Sequence, residues 1–426
     1  MRSIAVLDAP TNLGLRPPTA TSVPGCYKAP GALRDHRLLA RLDARDAGCL
    51  TPPRYDPGDW RPGDGVAHAA EIARYSVLLA DRIGAILADG EFPLVLGGDC
   101  SVLLGAAVAV GRLDGRYGLV FVDGHSDFRH PGNASYVGAA AGEDLALVTG
   151  RGQPDLTGLE GRRPYFRDVD VAVLGIRPQD EYRIELQAAG IAYRAVPELR
   201  SDGAARSAQW ARGVLQDCDG YWVHIDVDVL DPAVMPAVDA PDPGGIAYAE
   251  LELLLAGLVG SPRCLGLEVT VFDPDYDPDG VHAAELVDLL VAGLAPVRAA
   301  GPEQPAGRRP KVPAARSGLV DFAPVPRRSP EDGPADEPAA AAEPAPSVPA
   351  QARRGPAADE PKPASGPVAD LNGDRAANGD RAANGDRAAN SDRAADVAPA
   401  RKPPVVDHGP GKLRRRPSSD EAPTSG

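Results

Sequence analysis

GLVFVDGHSDF, residues 118–128, decides how this chain is read. Residues 118–122 are apolar apart from a leading glycine, and the polar residues Asp123, His125 and Asp127 follow at once. A short apolar run suits a strand buried on both faces. Polar residues directly behind it fall at the strand's carboxyl end, where open α/β sheets bind ligands.

The same pattern recurs outward from this stretch. LGGDCS at 96–101 follows an apolar run, HIDVDVLDP at 224–232 ends another, and GLEVTVFDP at 266–274 ends a third. Strands are expected at Ile4–Leu7, Pro93–Leu96, Gly118–Val122, Val171–Leu174, Tyr221–Ile225 and Cys264–Val269. Helical spacing fills the intervals at Val66–Ala88, Ser101–Val110, Glu181–Ala189, Ala204–Gln216, Ala247–Leu258 and Val281–Leu294. Apolar strands alternating with helices predict an α/β fold with a mostly parallel sheet covered on both faces. Four segments then deliver polar residues to one rim.

Asp123, His125 and Asp127 are spaced by two, as are Asp226 and Asp228. In extended chain, such residues point to one side. Four carboxylates converging on one place repel strongly unless cations neutralise them. Two divalent ions sharing bridging carboxylates meet that need, and oxygen-rich ligation with a single imidazole favours Mn²⁺. A lone Asp-x-Asp also caps helices and starts turns. Two such clusters, with GGDC and GLEV at other strand ends, are far more specific.

These motifs, with Gly31-Ala32-Leu33-Arg34 near the start, resemble the ureohydrolase family, which contains arginase, agmatinase and formimidoylglutamase. The resemblance covers about residues 1–300. It implies a three-layer α/β/α fold and a two-manganese site that hydrolyses a C–N bond of a guanidino or amidino compound. By motif, it implies that Asp123 and Asp226 bridge the ions, that Asp127 binds the first and contacts the bridging solvent, and that His125 and Asp228 bind the second. Glu268 matches the glutamate that holds the cationic substrate. Trimers or hexamers are common in the family, so a homo-oligomer is implied.

The pattern breaks in three places. Cys100 stands where the family has a histidine ligand; a thiolate can bind metal but suits Mn²⁺ poorly, and the alternative is a packed, inert thiol. Ala141 stands where arginase-like members carry a proton-shuttle histidine, with Glu143, Asp144 and His130 as substitutes that spacing does not separate. The loop 235–245 replaces a Gly-Thr-rich segment, which points to an altered substrate pocket. His224, two residues before Asp226, reads as a support for a ligand, a replacement ligand or a buried structural histidine. Two other functions stay open beside the hydrolase: a metal-binding regulatory member without turnover, and a hydrolase of another linear amide using a single zinc.

Composition bounds the rest. Net charge is −15, which does not support a nucleic-acid footprint. No run approaches a membrane span, MRSIAVLDAP lacks a signal-peptide pattern, and five scattered cysteines suit a reducing compartment, so a cytoplasmic protein is expected. Of the 45 prolines, 22 lie after Ala300. That segment, with its NGDRAA repeats from Asn372 to Ala389, is expected to be a disordered low-complexity tail (301–426) behind one globular domain (1–300).

Overall fold

The computed structural model describes residues 2–19, 21–134 and 138–299. The expectation for the Pro/Ala-rich tail lies outside these residues.

Among the described residues, eight strands form one sheet, parallel throughout: β1 (Ile4–Ala9), β2 (Arg45–Cys49), β3 (Phe92–Gly97), β4 (Tyr117–Val122), β5 (Val171–Leu174), β6 (Ala192–Arg194), β7 (Gly220–Asp226) and β8 (Cys264–Thr270). Their spatial order is β2-β1-β3-β8-β7-β4-β5-β6. All six expected strands are present. The two additional ones, β2 and β6, lie at the sheet edges and are only partly buried, so their sequences lack the apolar run that marks the others.

The two faces carry separate cores. One joins Val95, Phe121, Val173 and Trp222 to helices α1 (Ala69–Ala88) and α2 (Val102–Gly111). The other joins Leu96, Val122, Ile225 and Val269 to α3 (Ala204–Val214), α4 (Tyr248–Val259) and α5 (Val281–Gly293). This is the three-layer α/β/α arrangement. The helix α2 is apolar nearly all round, with Val102 through Val110 buried, as suits a helix enclosed by sheet and neighbour. Gly105 lets α1 approach it: a Cβ there would meet Leu79 Cδ2 at 2.7 Å.

The sheet order puts β3, β8, β7 and β4 side by side at the centre. The polar motifs continue from the carboxyl ends of these four strands, so the topology gathers them at one rim. Gly98 permits the tightest approach there, since a Cβ on it would lie 1.7 Å from the Thr11 carbonyl oxygen. Its own carbonyl accepts the Val271 N–H at 2.7 Å, tying β3's end to β8's. Among the described residues, no helix is long and apolar enough to cross a membrane.

Candidate metal centre

The two Asp clusters converge, but not through extended chain. Past Val122 the backbone leaves β4 and turns, and Asp127 adopts φ +43°. Residues 227–229 form a 3-10 turn capped by Asp226, whose Oδ1 accepts the Asp228 N–H at 2.7 Å. Likewise Asp123 Oδ1 accepts the His125 N–H at 2.6 Å. In each pair the first carboxylate bends the chain by accepting a local N–H, and that bend brings the second residue alongside.

Asp123, His125 and Asp228 each offer a donor atom within 4.8 Å of the others. His125 Nδ1 lies 2.9 Å from Asp228 Oδ2, and its Nε2 lies 3.2 Å from Asp242 Oδ2. Asp228 Oδ1 accepts the Gly124 N–H at 3.1 Å. Arg177, 1 % exposed, clamps this corner from behind. Its Nη2 donates to the carbonyls of Asp228 (2.8 Å), Leu230 (3.2 Å) and Asp242 (2.7 Å). Gly124 leaves room for that guanidinium, because a Cβ would meet Arg177 Nη1 at 2.3 Å.

A cleft of about 580 Å³ opens above the rim. His125, Asp127, Asp226 and Asp228 line it, together with Ala141. Asp123 lies beneath, fully buried. The electrostatics are those of a buried, anion-rich site. Burial, then repulsion from neighbouring carboxylates, pushes the Asp123 and Asp226 carboxyls well above the usual range. Burial likewise lifts Asp127 to about 7. Asp228 is the exception: burial works against it, yet His125 holds it low. Burial would lower His125, but Asp228 outweighs this and raises it to about 10. Asp123 Oδ2 is buried with no hydrogen-bond partner. Such a carboxylate, converging with three others and an imidazole, fits one or more hard-to-borderline divalent cations.

Glu268 requires a correction. Its carboxylate does not reach the cleft. It sits in mid-β8, paired in register with His224, two residues short of Thr270 where the strand ends. It is fully buried, and its Oε1 lies 2.8 Å from His224 Nδ1. Val271, one residue past the strand, faces the cleft instead.

Cys100 is also buried, with Sγ donating to Asp226 Oδ2 at 2.9 Å and lying 3.1 Å from Thr270 Oγ1. It groups with Asp144 and His224 rather than with Asp127. Of the shuttle substitutes, Glu143 turns away to accept the Gly138 N–H at 2.7 Å, and His130 Nδ1 accepts the Gly132 N–H at 3.1 Å. The sequence reading missed Arg16, Arg129 and Arg177 on the cleft wall. Isolated arginines carry no spacing signal, and only the fold brings them there.

The Arginase family profile matches residues 2–294. The arginase of Bacillus subtilis is 27% identical over 301 residues, spanning 68% of this chain and 98% of that protein. The formimidoylglutamase of Aeromonas salmonicida is 30% identical over 276 residues, spanning 62% and 79%. The solved arginase of Bacillus caldovelox superposes with a TM-score of 0.62 at 25% identity, covering 69% of this chain and 99% of that one. A family match across nearly the whole described domain leaves one conclusion: this chain belongs to the arginase family, whose members are hydrolases acting on C–N bonds of amidines.

Proposed function

We propose that this protein hydrolyses the C–N bond of a guanidino or amidino compound, releasing urea or a related small amide, with two divalent ions (Mn²⁺ expected) at the rim. The observation that carries this reading is the Asp123–His125–Asp228 donor set at the floor of the cleft, beside Asp127 and Asp226. His125 and Asp228 would hold one ion, Asp127 would serve the other, and Asp123 and Asp226 would contribute to both. Divalent ions held there supply activation of water at neutral pH. Asp127, lining the cleft beside these residues, is placed to accept a proton from the attacking water at its carboxylate oxygens and pass it to the leaving nitrogen.

With Glu268 buried, the cationic end of the substrate falls to carboxylates that do line the cleft, Asp239 and Asp242 on the replaced loop. Arg16 and Arg129 on the same wall suit an anionic or polar tail. The substrate is therefore a small molecule with charge at both ends, and arginine is one case among several. The family's trimers and hexamers make a homo-oligomer part of this reading, and a cytoplasmic location goes with it.

A second reading, a metal-binding member without turnover, is favoured by Ala141 on the cleft wall, where a methyl group offers no proton transfer. Metal-loaded protein is incubated with arginine, agmatine and other guanidino and amidino acids while urea, ammonia and amide are measured. Product that disappears with chelator supports hydrolysis. Absence of product from every compound at full metal content supports the second reading, and Ala141→His then tests it: turnover gained there identifies a lost shuttle.

A further inference from the structure

We propose that Cys100, Asp144 and His224 form a metal-binding set of their own, taking a zinc-type borderline ion at the position beside Asp226 rather than manganese. This deepens the reading of the cleft as a metal-dependent hydrolase site, since it assigns ligands and metal preference to its first position.

The three residues come from distant parts of the chain: the turn after β3, the helical turn after Ala141, and mid-β7. They nevertheless place a sulfur, a carboxylate oxygen and an imidazole nitrogen within 4.8 Å of one another. All three are buried. Neither oxygen of Asp144 has a hydrogen-bond partner, and neither does His224 Nε2, which lies 3.8 Å from Asp144 Oδ2. That separation is too long for a hydrogen bond between them. Buried polar atoms without partners, with donor atoms this close together, suit a shared cation. Asp226 Oδ2, 2.9 Å from Cys100 Sγ, is the neighbouring carboxylate that could serve as a fourth donor.

The ring of His224 is held for ligation. Its Nδ1 lies 2.8 Å from Glu268 Oε1, to which it donates when the glutamate is ionised, and Phe121 stacks on it with centroids 4.8 Å apart and planes at 10°. In the neutral ring, that hydrogen bond leaves Nε2 as the free lone pair. Carboxylate–histidine–metal relays use this arrangement to fix tautomer and orientation. A thiolate, an imidazole and carboxylates form a set that zinc and cobalt accept readily and that manganese, preferring oxygen, does not. Cys100 is the departure from an all-oxygen-and-histidine site, and its sulfur moves the set toward zinc.

The test uses full-length protein freed of metal by chelation. Loaded with Co²⁺, the wild type should show an intense near-ultraviolet thiolate-to-cobalt band and tetrahedral visible bands. Cys100→Ser should abolish the thiolate band, and His224→Gln should lower zinc content by about one equivalent per chain. Manganese binding at Asp123, His125 and Asp228 should persist in both. The wild-type spectrum needs no variant, so a misfolded mutant does not decide the matter. Absence of the thiolate band in cobalt-loaded wild type overturns the proposal, as does unchanged zinc content in folded His224→Gln. These readouts are independent of turnover, so an inactive protein with the band intact refutes only the hydrolase reading.

Discussion

His224 Nδ1 and Glu268 Oε1 lie 2.8 Å apart in the interior of the sheet, on neighbouring strands and in register. The pair makes Glu268 a support for a histidine rather than a substrate contact. Glu268→Ala should therefore cost about 3 kcal/mol, from the cavity and from the donor left unpaired. Glu268→Gln, whose amide oxygen still accepts, should cost about 1 kcal/mol. Denaturant midpoints measure both, and KM for any substrate found should stay unchanged in Glu268→Gln. A raised KM with an unaltered midpoint would return Glu268 to the substrate.

The metal-free protein should lose stability as pH rises. Burial lifts the Asp127 carboxyl to about 7, so above the unfolded value near 4 the folded state binds the extra proton, and this advantage disappears as pH rises through about 7. His125 is raised to about 10, so its contribution is complete below the unfolded value near 6.5 and lost as pH rises through about 10. Both act in the same direction. Melting temperature in chelator should fall steadily from about pH 5 to about pH 10, and saturating divalent metal should remove most of that slope. A flat profile without metal would show that these groups are not poised as described.

Gly98 should not tolerate a side chain. A Cβ at 1.7 Å from the Thr11 carbonyl oxygen meets backbone, which has no rotamer to give. Gly98→Ala should cost about 3 kcal/mol and weaken metal binding, because the same turn carries Cys100. Wild-type stability in this variant, by thermal melt, would contradict the packing described.

Most of the fold was legible because its central strands are buried on both faces and so read as apolar runs. The edge strands β2 and β6 were not legible, because RDAGC and AYR are short and half-polar. The convergence of Asp123, Asp226 and Asp228, with His125 beside them, was legible because the sequence crowds carboxylates behind strand ends. The reason differed from the expected one, since capped turns and not extended chain bring them together. Glu268 was misplaced because the sequence does not mark where β8 stops, and two residues separate a cleft carboxylate from a core one. The grouping of Cys100 with Asp144 and His224 depends on contacts across the fold, which spacing does not encode.

Deleting residues after Ala300 should leave melting temperature and metal content unchanged, since the family match ends at residue 294. Calorimetry and metal analysis of the shortened chain check this, and a large loss of either would show that the segment docks on the domain.

The most direct test follows turnover against bound metal in wild type and in Asp228→Asn. Asp228 joins His125 to the Gly124 turn, so the amide should weaken divalent-metal affinity by roughly 100-fold. Product release from a guanidino or amidino substrate should rise in step with metal bound in the wild type and return in Asp228→Asn only at correspondingly higher metal. Turnover that is independent of metal occupancy, or full metal retention by Asp228→Asn, would contradict the account.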